Sequence, residues 1–138
     1  MGAPEDSAQE LKLTRTTVLL VEDDARVRAV ASEMLKRLGY RVLTAADGPT
    51  ALSILATDET VHLLFTDYVL PKGLNGADLA ERALALRPDL KVLHTSGFTQ
   101  RHVFREGRLR AHDPFIAKPY PLAALENYIR KTLDSTGE

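Results

Sequence analysis

Cysteine is missing from all 138 residues. Disulfides, thiolate metal sites and thiol nucleophiles are thereby excluded together. Long apolar runs are missing too: none approaches the roughly 20 residues of a membrane span. The opening MGAPEDSAQE has neither the basic start nor the apolar stretch of a signal peptide. Charge of one sign is also lacking, for a net −1 argues against a general nucleic-acid binder. The expectation is a soluble, cytoplasmic protein with neither membrane nor nucleic acid as partner. The length suits one domain with one core. Residues 1–14 read as a flexible tail and 15–138 as the folded domain.

What is present is alternation. Apolar strands are expected at Val18–Val21, Arg41–Ala45, Val61–Thr66, Lys91–Thr95 and Phe115–Ala117. Between the first two, Val27, Val30, Met34, Leu35 and Leu38 recur at helical spacing, with Lys36 and Arg37 near the end and Gly39 as a stop. Asp47-Gly48-Pro49 opens a second helix through Ala56, and Ala77–Leu86 makes a third, ended by Arg87-Pro88. A weaker fourth covers Thr99–Gly107, and a fifth begins near Pro121. Five βα units in series predict an α/β fold, a parallel sheet with helices on both faces.

In such a sheet, ligands bind at the carboxyl ends of the strands. Strand one, TVLLV, runs straight into Glu22, Asp23 and Asp24. Like charges about 5 Å apart repel by roughly 3 kcal/mol at an effective dielectric near 20, so the cluster needs a reason. Asp24 has an ordinary one, capping the first helix. The same edge receives Asp67 from strand three, Thr95, Ser96 and Gly97 from strand four and Lys118 from strand five. Carboxylates without histidine or sulfur are hard oxygen ligands that favour Mg²⁺, whose charge relieves the repulsion. A lysine and a hydroxyl beside them suit an incoming phosphoryl group. An aspartate there can serve as the nucleophile, giving an acyl phosphate.

These residues, at the ends of strands one, three, four and five, resemble the receiver domain of two-component response regulators over about residues 17–134. The resemblance implies a flavodoxin-like, doubly wound sheet of five parallel strands in the order 2-1-3-4-5 with five surrounding helices. It makes Asp67 the phosphoacceptor, Lys118 and Ser96 its partners, and Glu22 and Asp23 the acidic pair. Asp23, Asp67 and the Val69 carbonyl would ligate Mg²⁺, with Glu22 acting largely through water. Backbone N–H groups of Tyr68 and Gly97 would meet the phosphoryl group, and the Lys118–Pro119 bond would be cis. The implied donor is a histidine kinase or histidine phosphotransfer protein. The implied output is a change in the face made by the fourth helix, fifth strand and fifth helix, read by a downstream protein. Phe115, three residues before Lys118, stands where many receivers carry a Tyr or Phe switch. The stretches DYVLPKGLNGADLA, with Gly76 nine residues after Asp67, and VLHTSGFT are similar to receivers of hybrid histidine kinases and single-domain regulators.

Other readings stay open at this level. A haloacid-dehalogenase-like phosphatase carries its aspartyl nucleophile on strand one, not strand three. A nucleotide or flavin module wants a glycine-rich first loop where this chain has VEDDAR. A non-phosphorylated pseudo-receiver, acting only as an interaction module, has the same residue types. The run QRHVFREGRLRAH, with Arg101, Arg105, Arg108 and Arg110, reads as a solvated segment, or alternatively as a docking surface for an acidic partner or a homodimer contact. The four histidines show no metal-ligand spacing.

Overall fold

The computed structural model describes residues 16–97, 109 and 113–135. Five parallel strands, β1 (Thr17–Val21), β2 (Arg41–Ala45), β3 (Leu63–Asp67), β4 (Lys91–Ser96) and β5 (Phe115–Ala117), form one sheet in the order β2-β1-β3-β4-β5. Four helices are seen among the described residues: α1 (Ala25–Arg37), α2 (Gly48–Leu55), α3 (Gly76–Leu86) and α4 (Leu122–Asp134). The helix expected at Thr99–Gly107, the Arg101–Arg110 run and the N-terminal tail lie outside the described residues. No helix among those described is long and apolar enough to cross a membrane.

The strands explain themselves by burial. β1 and β3 each have a strand on both sides and are buried at every position, as continuous aliphatic runs require. β2, at the edge, exposes Arg41 and Thr44. Successive residues of β1 and β3 point to opposite faces. Val18, Leu20, Leu63 and Phe65 therefore pack with Ala31 and Leu35 of α1 and with Leu125 and Ile129 of α4. Leu19, Val21 and Leu64 pack with Ala51 and Leu55 of α2 and with Leu79 and Ala83 of α3. β3 extends to Asp67, one residue beyond its expected end, because its pairing with Thr95 continues the β4 ladder.

Three helix starts at the carboxyl edge, those of α1, α2 and α3, are capped by nearby side chains. Asp24 accepts from the N–H groups of Arg26 and Val27 at 2.9 and 3.1 Å. These bonds hold its carboxyl below the ordinary value. Asp47 accepts from Thr50 N–H at 2.8 Å to start α2. Asn75 and Asp78 form a reciprocal capping box on α3. Gly39, at φ 97°, takes the left-handed conformation that ends α1.

Candidate functional site

Strand parity gathers the site. Counting on by two from Val18 and Leu20 reaches Glu22, from Leu63 and Phe65 reaches Asp67, and from Ile116 reaches Lys118. All three fall on the face shared with α1 and α4. Register aligns them in depth: Val21 pairs with Thr66, Asp67 with Thr95 and Ser96 with Ala117. The ladders run one step past the strands, through Glu22 N–H to the Ala45 carbonyl at 3.1 Å and Lys118 N–H to the Ser96 carbonyl at 3.0 Å.

Lys118 Nζ donates to Glu22 Oε1 at 2.5 Å and to Asp67 Oδ2 at 2.9 Å. Glu22 and Asp67 are buried, at 4% and 7% exposure. Burial alone would lower the lysine pKa, but hydrogen bonds and charge from Glu22 and Asp67 outweigh it, and the net direction is upward. The second oxygen of each acid is also engaged. Glu22 Oε2 accepts from Asp24 N–H at 3.1 Å and Asp67 Oδ1 from Val69 N–H at 3.2 Å. Asp23 is exposed at the mouth. One carboxylate oxygen from each of Glu22, Asp23 and Asp67 lies within 4.8 Å of the others. This all-oxygen donor set fits a hard dication such as Mg²⁺.

An open cleft of about 430 Å³ brings Asp23 and Asp67 together with Val69, Leu70, Pro71, Ser96 and Gly97. Ser96 is buried at the end of β4, and Gly97 is exposed just after it. Tyr68, expected to offer a backbone N–H to the phosphoryl group, is held in the sheet. Its N–H donates to the Thr95 carbonyl at 2.8 Å, completing the β3–β4 ladder, and the N–H beside the Asp67 carboxylate is that of Val69. The Tyr68 ring is buried with Ala77, Leu109 and Phe115. The Lys118–Pro119 bond is cis.

Two positioning features lay beyond the reach of sequence reasoning. Gly76 N–H donates to the Tyr68 carbonyl at 2.7 Å. A Cβ on Gly76 would lie 2.6 Å from the Asp67 carbonyl oxygen and 2.8 Å from Tyr68 Cα, so only glycine lets α3 approach the strand end this closely. Its nine-residue distance from Asp67 was the only signal. The second is Arg28, whose Nη1 donates to the Glu22 carbonyl at 2.8 Å and bridges the acidic turn to α1; no spacing rule announces it.

An open doubly wound sheet with acids, a lysine and a buried hydroxyl at its switch edge defines a class. The response regulator receiver domain model matches residues 18–130, and the chain belongs to that family. It is 34% identical over 116 residues to the response regulator receiver protein CpdR of Brucella abortus, covering 84% of this chain and 95% of that protein. It is 30% identical over 123 residues to the DNA-binding transcriptional regulator NtrC of Azospirillum brasilense, covering 89% of this chain but 25% of that protein. Among solved structures, the receiver domain from the hybrid histidine kinase CckA superimposes with a TM-score of 0.70 at 31% identity, over 86% of this chain and 99% of that one.

Proposed function

We propose that Asp67 takes a phosphoryl group from a phosphohistidine in a Mg²⁺-dependent reaction and that the acyl phosphate switches the domain's interaction surface. The observation that carries this is the half-buried contact of Lys118 with both Asp67 and Glu22 at the mouth of an acidic cleft. A carboxylate oxygen of Asp67 bonds to phosphorus as the phosphorus–nitrogen bond breaks, and the protonated donor ring leaves as neutral imidazole. Mg²⁺, when bound, supplies positive charge against the phosphoryl oxygens. Asp23, Asp67 and the Val69 carbonyl are assigned as its protein ligands. Glu22, with its two oxygens held by Lys118 and Asp24 N–H, is suited to act through water.

Lys118 holds the phosphoryl group once transfer moves charge onto it. Ser96, with the N–H groups of Val69 and Gly97, is assigned to the remaining oxygens. An apolar groove beside Lys118, lined by Val27, Val30, Met34, Pro119 and Tyr120, supports a protein donor, a histidine kinase or phosphotransfer protein, working in the cytoplasm. Val30 is 62% exposed there. The output reading places a downstream target on β5, α4 and the segment preceding β5.

The test is incubation with acetyl phosphate or phosphoramidate and Mg²⁺, followed by intact-mass measurement. The wild type should gain one phosphoryl group, and Asp67→Ala none. A wild type that gains nothing, with Mg²⁺ present, is a pseudo-receiver.

A further inference from the structure

The loop between β3 and α3 carries Val69, Leu70 and Pro71 into the cleft, and its far end contains an anomaly. Lys72, at φ 66°, is the only non-glycine residue with positive φ among those described. L side chains adopt this conformation reluctantly, and Gly73 at φ 71° follows it. A turn needing only the left-handed geometry is served better by glycine at both places. The lysine side chain does something glycine cannot: its Nζ reaches Asp47 Oδ2 at 3.1 Å. The Asp47 side chain is only 10% exposed, and its other oxygen caps α2. One carboxylate thus joins the start of α2 to the loop.

A second contact follows the same line. Leu74 is buried and occupies the space where a Cβ on Gly48 would stand 2.5 Å from its Cδ2. Between these anchors and the Asp67 end, Pro71, Lys72 and Gly73 are exposed. Within that exposed stretch, the Lys72–Asp47 pair is the tie to the body of the domain that the described contacts show.

We propose that Lys72 is a positioning residue: through its ion pair with Asp47 it holds the β3–α3 loop in the form whose Val69 backbone and Asp67 carboxylate receive Mg²⁺. The inference rests on the metal reading above, and it assigns metal affinity to a pair that touches neither the metal nor the phosphoryl group.

The test combines calorimetric Mg²⁺ titration with amide hydrogen exchange of the metal-free protein. The proteins are wild type, Lys72→Gly, Lys72→Arg, Asp47→Ser and the control Asp23→Asn. Lys72→Gly removes both the strain and the ion pair. It should keep or raise the melting temperature, speed exchange at residues 69–74, and weaken Mg²⁺ binding roughly three- to tenfold, at or below the low end of what losing an outer partner of a ligand does. Lys72→Arg should restore affinity and protection. Asp47→Ser, which keeps a capping oxygen, should match Lys72→Gly in affinity. Unchanged Mg²⁺ affinity in Lys72→Gly, alongside weakened binding in Asp23→Asn, would overturn the inference while leaving the metal reading intact. If wild type and Asp23→Asn bind Mg²⁺ equally poorly, the metal reading fails and the inference falls with it.

Discussion

Two sets of ionisable side chains lie wholly or partly buried in this domain, and they are made tolerable in opposite ways. At the rim, Glu22, Asp67 and Lys118 stay together as mutually bonded groups. In the middle of β4, two residues before Ser96, His94 is 4% exposed and its Nδ1 has no hydrogen-bond partner among the described residues. It lies edge-on to the Tyr68 ring, with centroids 6.4 Å apart, and pairs in register with Phe115. Burial pushes its pKa down to about 4, against a smaller upward pull from Asp113. One site pairs charge and the other is poised to lose it, the two routes by which low-dielectric surroundings admit ionisable groups. The rim keeps charge where the proposed phosphoryl transfer would need it. The interior of the sheet keeps charge out.

Removing one partner at the rim should have the largest effect. Lys118→Met leaves Glu22 and Asp67 adjacent without their counter-charge. Urea unfolding in the absence of metal should show a loss of roughly 2–4 kcal/mol, reduced from the fully buried case because the lysine side chain is 21% exposed. Adding Asp67→Asn should recover part of that loss. A Lys118→Met protein as stable as wild type would show that the acids do not depend on this pairing.

Gly76→Ala tests the scaffold under the rim. Its methyl group would collide with the Asp67 carbonyl at the end of β3, so a loss of roughly 1–3 kcal/mol is expected, with slower uptake from acetyl phosphate. Unchanged stability and uptake would mean that α3 can retreat without cost.

His94 gives the smallest effect and the clearest sign. Its folded value of about 4 lies below the 6.5 of an ordinary histidine, so the native state binds fewer protons than the unfolded chain. The stability this contributes is whole above pH 6.5 and is lost as pH falls toward 4. From pH 7.5 to 5.5 the loss should be about 1 kcal/mol, and His94→Met should flatten that slope. A wild type with no slope in this window would place the imidazole in a wetter setting than the one described.

Much of the rim could be read from the chain because each residue stands at the end of an apolar run. TVLLVE, LLFTD and FIAK each run from apolar strand to a charged side chain at the edge, and parallel sheets present such ends on one side. Asp24 as a cap was legible for a similarly local reason, since its partners lie two and three residues away. His94 was not: its neighbours LHTS look like any strand, and its isolation arises from Tyr68, 26 positions earlier, and Phe115, 21 later. The ladder bond of Tyr68 was not legible either, because adjacency to Asp67 says nothing about which N–H β4 will take.

Local sequence set the alternating elements, the chemistry available at their ends and the family to which they are similar, because hydrophobic period and capping are local properties. Tertiary structure alone decided which acids share Lys118, why glycine must stand at 76 and how Lys72 finds Asp47 across 25 positions. Those outcomes depend on distances between segments, and distance between segments exists only after the chain has packed.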